Sequence, residues 1–364
     1  MDDLRRRFVE QIRRDGAPLS DPLADALATV PREVFVAEGF QRRDGTWAVP
    51  GDRDFLTTVY HDDVLVTKVD GQRPVSSSSQ PSLMAIMIEA LGVRPGLRVL
   101  EIGAGTGYNA ALLAALGAEV TAVDVQADVA DRARSALARA GIEGVRVEHG
   151  DGYAGAPGRR FDRVIVTVGV AGVSPRWLAQ TGPGGLVVAP VEHAGTHPVL
   201  AVRGAAEGPV TATAVCPSGF MSASGPLTAA HPYAHPAPAV AGNVTTVAPV
   251  TGPRWKYPLD SLRYRDLWYA AGVWHRRATQ AAVPGRDQSV LALLDEDRTG
   301  GAVILPDGTV LAGGPAAEQY ASDAAEVLDR WERAGHPPMQ AWRIGLALTG
   351  DPEFPIWEPA EWFL

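Results

Sequence analysis

The stretch Val99–Gly107 reads VLEIGAGTG and carries the densest set of chemistry-bearing residues in the chain. Val99, Leu100 and Ile102 have the character of a buried strand end. Gly103, Gly105 and Gly107 let the backbone turn sharply and come close to a ligand. The run Tyr108–Leu116 then has helical spacing. Strand, glycine turn and helix in this order form a crevice at the carboxyl end of a parallel sheet, where nucleotides bind. Taken alone, Gly-x-Gly-x-Gly is a weak signal that also marks ordinary tight turns. Glu119–Asp124, EVTAVD, strengthens it: it reads as a second strand ending in an acid 21 residues after Gly103. A carboxylate there can take both hydroxyls of a ribose, and Val125 follows it directly; a solvated acid in a turn is the plainer alternative. Val145–Gly152, VRVEHGDG, runs into Gly-Asp-Gly, where Asp151, beside Gly152, can accept from an adenine amino group. Glu101 adds a negative charge within the first strand end.

These residues also constrain the ligand. In a dinucleotide fold a third glycine lets the pyrophosphate meet the helix; here that place is Tyr108. A pyrophosphate is disfavoured, and a nucleoside with a cationic group near Glu101 fits better. That describes S-adenosylmethionine.

The elements that must hold this turn follow from the pattern around it. From Arg98 to about Arg203, strand-like and helix-like runs alternate, which predicts an α/β domain with a doubly wound, mostly parallel, Rossmann-like sheet. Phe161–Val168 reads as a central strand and Gly185–Pro190 as the next. Val199–Val202 and Val210–Val215 read as an antiparallel edge pair. Ahead of the turn, Leu4–Arg14 has helical spacing, Val59–Pro81 is hydroxyl-rich, and Ser82–Leu91 reads as a helix. The 364 residues, 46% hydrophobic and 21% charged, suit one large or two modest domains. A net charge of −9 argues against general binding to nucleic acid or anionic membranes. One cysteine, Cys216, excludes an intrachain disulfide and a cysteine-based zinc site. No apolar core of a secretory signal and no apolar run long enough to span a membrane is visible, so the cytoplasm is the expected compartment.

Together the residues resemble protein-L-isoaspartate O-methyltransferases. The resemblance runs from about Val30 to Leu227 and rests on VPREVF at 30–35, VY at 59–60, SSQP at 78–81, the glycine turn, GDG at 150–152, FDRVIVTV at 161–168 and GGLVVAPV at 184–191. It implies a class I methyltransferase fold and an S-adenosylmethionine-dependent carboxyl methyltransferase, with S-adenosylhomocysteine as product. Ser79 then stands at the active-site hydroxyl. Ser76, Ser77, Ser78 and Ser79 wrap the methionine part of the cofactor. Glu101, Gly103, Gly105 and Thr106 lie at the turn, Asp124 and Val125 at the ribose, and Asp151 and Gly152 at the adenine. Aspartate at 124, where the family often has glutamate, and a longer, more charged stretch at 61–75 are departures. The substrate is a peptide or protein bearing aspartate or isoaspartate. Its carboxylate is already ionised near neutral pH, so neither a general base nor a metal is required. No histidine pair has convincing ligand spacing; in His231-x-x-x-His235, Pro232 works against a helix. For Ser79 itself, capping of the helix from Ser82 is the structural alternative.

Beyond the resemblance the expected division is 1–230 for the catalytic domain, 231–253 for a Pro/Ala-rich linker and 254–364 for a small α+β appendage. The appendage suggests the longer branch associated with ribosomal peptide biosynthesis (lanthipeptides, graspetides, lasso peptides), in which an aspartate of a cyclised precursor is methylated and the ester closes to an aspartimide. A general isoaspartyl repair enzyme is the alternative. Arg254–Arg277 carries a local charge of +4, from six basic and two acidic residues, interleaved with aromatics. With Tyr60 it supplies the expected substrate contacts Arg263, Arg265 and Trp268; an amphipathic helix with solvated arginines is the competing reading.

Overall fold

The computed structural model describes residues 1–204, 208–229, 248–283, 289–296 and 300–364. Most of the expected linker, together with His231 and His235, lies outside the described residues. The chain opens with α1 (Asp2–Arg14) and α2 (Asp21–Thr29), and the four-residue spacing of Phe8 and Ile12 buries both. A 3-10 turn (Arg32–Val36) follows, then β1 (Phe40–Gln41), β2 (Trp47–Ala48), α3 (Phe55–Val59), β3 (Leu65–Asp70) and β4 (Arg73–Ser78). The four strands form a small antiparallel sheet in the order β2-β1-β3-β4. Pro81 opens α4 (Pro81–Leu91), and Gly92 closes it at φ +64°, in the left-handed region that favours glycine.

The main sheet is built from β5 (Arg98–Ile102), β6 (Glu119–Asp124), β7 (Val145–His149), β8 (Phe161–Val166), β9 (Thr181–Pro190), β10 (Val199–Arg203) and β11 (Val210–Cys216), with α5 (Tyr108–Ala115), α6 (Ala127–Arg139) and α7 (Pro175–Gln180) in the crossovers. The late part of the chain adds β12 (Ala248–Pro249), α8 (Ser261–Trp274), β13 (Ala278–Ala281), β14 (Val290–Leu294), β15 (Gly301–Ile304), β16 (Val310–Gly313), α9 (Ala317–Arg333), β17 (Arg343–Asp351) and β18 (Phe354–Phe363). Nine strands share the main sheet, in the order β18-β17-β11-β10-β9-β8-β5-β6-β7. From β9 to β7 neighbours are parallel, and from β9 to β18 they are antiparallel. The parallel part matches the expected Rossmann-like sheet.

Two expectations change here. The pair β10–β11 is antiparallel but interior, because β17 docks on β11 with Val210 opposite Leu346, and β18 lies beyond it. The boundary at 253/254 is not a break between separate layers. A single apolar core runs from Leu100, Val164 and Val187 through Leu267 and Trp268 of α8 to Trp331 of α9 and Ile344 of β17. Only β12–β16 form a sheet of their own, in the order β12-β16-β15-β14-β13, with α9 packed on β15 and β16. Strand runs such as 290–294 are buried at every position, so their local pattern tells that a strand exists but not which sheet receives it. Among the described residues no helix is long and apolar enough to cross a membrane.

Candidate active site

The carboxyl ends of β5, β6 and β7 carry the acids the sequence singled out. Gly103 and Gly105 turn the chain away from β5 at φ +92° and +52°. A Cβ at Gly103 would lie 2.9 Å from Thr167 Oγ1, and one at Gly105 would lie 3.2 Å from the Ser77 carbonyl. The turn is therefore wedged between β8 and the end of β4, and side chains there would force it apart.

Asp124 is almost wholly buried at the end of β6. Its two oxygens accept from the Gly105 N–H (3.0 Å) and the Gln126 N–H (2.9 Å). It thus braces the glycine turn, a task its place in the sequence did not announce. Each oxygen keeps a further lone pair for a ribose hydroxyl. Burial raises its pKa, and the two backbone donors oppose that rise. Glu101 is fully buried. Oε1 accepts from Asn109 Nδ2 at 2.7 Å, while Oε2 has no partner among the described residues. Burial pushes its pKa up to about 8, with the Asn109 bond pulling down and Asp124 adding to the rise. Asp151 is exposed and uses one oxygen to accept from the Tyr153 N–H at 2.9 Å; Gly152 follows it. Val125 is 53% exposed, an apolar face next to the ribose position.

The serine run forms the end of β4. Ser76 and Ser78 are buried, Ser77 is half-buried with its carbonyl against Gly105, and Ser78 Oγ has no partner among the described residues. Ser79 is half-buried and does not cap α4. Asp62 does so instead: its oxygens accept from the Ser82 N–H (2.8 Å) and from Gln80 Nε2 (2.9 Å). No hydrogen bond to the Ser79 hydroxyl is made by the described residues. The Ser79 backbone is held from the other side by Arg32, which is wholly buried. Its guanidinium donates to the carbonyls of Val59 (2.7 Å), His61 (3.0 Å), Asp63 (2.9 Å) and Ser79 (3.2 Å). Burial lowers its pKa to about 10. Arg32 and Asp62 escaped the sequence reading. An arginine inside the apolar VPREVF was the visible signal for the first; nothing local marks Asp62 as the cap of a helix twenty residues on.

The β3–β4 hairpin closes over the start of α6. Lys68 Nζ bonds Gln126 Oε1 (2.9 Å) and both Asp128 oxygens (2.7 Å), and Gln126 Nε2 reaches the Val75 carbonyl (2.8 Å). Beside this strap an open cleft with about 370 Å³ of empty space is lined by Thr67, Ser76, Gly105, Thr106, Arg132 and Arg139. On the far side, Tyr153 donates to the Pro355 carbonyl at 2.9 Å and meets Phe354 edge-on. The last hairpin, β17–β18, thereby supports the turn that carries Asp151.

The expected substrate contacts divide. Tyr60 is buried, with its hydroxyl between Arg5 Nε (2.8 Å) and the Glu33 carboxylate, so it belongs to the packing of α1 and is not presented to a substrate. Trp268 is a core residue, 2% exposed, whose Nε1 donates to the Ala194 carbonyl. Arg263 is exposed near the start of α8, while Arg265, two residues on, is turned by roughly 200°. Arg265 is half-buried and stacks on Trp268, 4.9 Å from the ring centroid. No group of three or more His, Cys, Asp or Glu side chains that could hold a metal occurs among the described residues.

The family model for protein-L-isoaspartate(D-aspartate) O-methyltransferase matches residues 4–225. The chain belongs to that family. It is 40% identical over 192 residues to the protein-L-isoaspartate O-methyltransferase of Thermotoga maritima, a match covering 52% of this chain and 55% of that relative. Its counterpart in Methanoculleus marisnigri is 39% identical over 189 residues, covering 51% and 76%. A solved protein-L-isoaspartate O-methyltransferase structure aligns with 97% of this chain and 99% of its own at 25% identity, with a TM-score of 0.55. The region after 230 is therefore shared with a solved structure of the same name. The family is named for methyl transfer to an oxygen of isoaspartyl or D-aspartyl residues, and S-adenosylmethionine is the expected donor. The residues here fit that cofactor: a cationic ligand complements the unpartnered buried oxygen of Glu101, and Asp124 and Asp151 keep acceptors open.

Proposed function

We propose that this chain is a carboxyl O-methyltransferase acting on aspartyl or isoaspartyl side chains of peptides and proteins, with S-adenosylmethionine as donor. The observation that carries the reading is Ser79: its backbone is pinned by a buried arginine, its helix is capped by another residue, and its hydroxyl, two residues past the Ser77 carbonyl that abuts the glycine turn, is engaged by none of the described residues. When bound, S-adenosylmethionine supplies an electrophilic methyl group. Glu101 offers its unpartnered oxygen to the cationic part, Asp124 its spare lone pairs to the ribose, and Asp151 its free oxygen to the adenine. The Ser79 hydroxyl donates to one oxygen of the substrate carboxylate and leaves the other to react. Such alignment supplies at most ~7–11 kcal/mol, and no protein base is needed because the acid is already ionised. In the released ester, the next backbone nitrogen displaces methanol and closes a succinimide, which water opens to aspartate or isoaspartate.

Replacing Ser79 by Ala tests this. The expected outcome is a kcat lower by about 10²-fold, as for loss of an oriented donor, with S-adenosylhomocysteine affinity changed little. Full activity in S79A would sink the assignment. A narrower reading, a dedicated enzyme for a cyclised ribosomal precursor, rested on the extension after 230. Because that extension also occurs in a solved relative of the plain family name, the broader repair-type reading is favoured. Short unstructured isoaspartyl peptides separate the two: a repair-type enzyme methylates many of them, and a dedicated one ignores them.

A further inference from the structure

Arg265 lies in a small cavity on the same sheet edge as the glycine turn. Pro198 stands at the start of β10 and Pro217 and Ser218 just past the end of β11; with Thr196 of the preceding turn and Trp268, they surround it. None of the lining residues is acidic. The guanidinium carbon lies over the Trp268 ring, and no ion pair or hydrogen bond to the group is made by the described residues. The neighbouring acid, Asp266, is turned instead to the Met339 N–H at 2.9 Å. Burial lowers the Arg265 pKa. A half-buried guanidinium keeps five N–H donors in one plane, and leaving them without an acceptor is costly. The ring gives the charge a cation–π partner but supplies no hydrogen-bond acceptor for those donors.

The position along the edge supplies the second argument. Because β10 runs antiparallel to β9, with Val199 opposite Pro190, its beginning lies at the carboxyl ends of the parallel strands. In the sheet, β10 and β11 stand three and four places from β5. At ~4.8 Å per strand the cavity is roughly 14–19 Å from the glycine turn. An extended peptide covers that distance with roughly four to six residues at ~3.3–3.6 Å each. This inference rests on the reading of the site as one that takes a peptide acid.

We infer that Arg265 and its cavity form a carboxylate subsite that engages an acidic side chain, or a terminal carboxylate, four to six residues from the methylated residue. The subsite sets which peptides are preferred and takes no part in methyl transfer.

The test uses the full chain and isoaspartyl peptides in which one glutamate is walked from three to seven residues on either side of the acceptor, each paired with its glutamine version. The wild type is expected to show a KM about tenfold lower for glutamate at one offset within the four-to-six window, with kcat unchanged. In Arg265→Gln that preference disappears; in Arg265→Lys it is reduced, because the fork geometry is lost. Arg263→Gln retains it. Removing an unpaired half-buried charge leaves the melting temperature of Arg265→Met no lower than that of the wild type. The inference is overturned if no offset is preferred, if Arg265→Gln keeps the preference, or if Arg263→Gln abolishes it equally. Failure of the underlying reading looks different: no peptide in the series is methylated at all.

Discussion

Where the strands run parallel, β5 and β6 close on a carboxylate and β7 runs into a turn that bears one: Glu101, Asp124 and Asp151. Three or four places along the same edge, where the strands have become antiparallel, the one charged residue lining the cavity is the half-buried Arg265, against a tryptophan. The construction differs as well. Parallel strands must leave the edge through long crossovers, and the glycine turn at the first of these opens a crevice. Antiparallel strands return directly, so their end of the edge is covered by side chains from α8 and the Met339 turn. One half suits a cation and the other an anion. A donor with a positive centre and a substrate rich in acids can thus share one edge without competing for the same groups.

The comparison breaks first at Asp124. In Asp124→Ala, the half-buried N–H groups of Gly105 and Gln126 lose their acceptor, at about 1 kcal/mol each, and the ribose loses its carboxylate, so S-adenosylhomocysteine affinity in calorimetry should fall by about 10²-fold. The antiparallel half should not respond, and the KM ratio between glutamate and glutamine peptides should stay as in the wild type.

Glu101 gives the next largest effect. Its folded pKa of about 8 exceeds the ordinary 4.5, so the folded chain binds the extra proton between those values. The stability this group contributes is full below about pH 4.5 and is lost as pH rises towards 8. Chemical denaturation of the free protein should show this falling limb, and Glu101→Gln should flatten it. A cationic ligand prefers the ionised form, so affinity for S-adenosylmethionine should rise by about tenfold from pH 6.5 to 8.5 in the wild type and stay level in Glu101→Gln.

The smallest effect is expected at Lys68, whose pair with Asp128 is largely solvent-facing. Lys68→Met should cost stability only about 0.5 kcal/mol. By loosening the strap over α6 it should speed S-adenosylhomocysteine release a few-fold, as read by stopped-flow.

Much of the parallel half was legible because its signals are local. Glycines at positive φ, an acid at or just past the ends of β5, β6 and β7, and alternating apolar runs each constrain their own neighbourhood. Ser79 was found by resemblance, but its freedom from the helix cap was not, since Asp62 reaches it across the α3–β3 connection. Tyr60 and Trp268 were misread for one reason: aromatic residues suit both an interface and a core, and burial is decided by elements far away in sequence. The placement of β17 and β18 was equally hidden. A strand pattern specifies two faces and says nothing of the neighbour across its hydrogen bonds.

That last placement reaches into the life of the chain before it is folded. The pairing of Val210 with Leu346 joins residues 136 positions apart. During synthesis the sheet that carries the glycine turn can assemble early, yet β11 keeps a bare row of amides and carbonyls until residues 343–346 have emerged. The nascent protein therefore passes through a window in which a nearly complete catalytic unit offers an open strand to other chains. Conditions that slow translation near its end should raise aggregation of this protein more than conditions that slow its beginning.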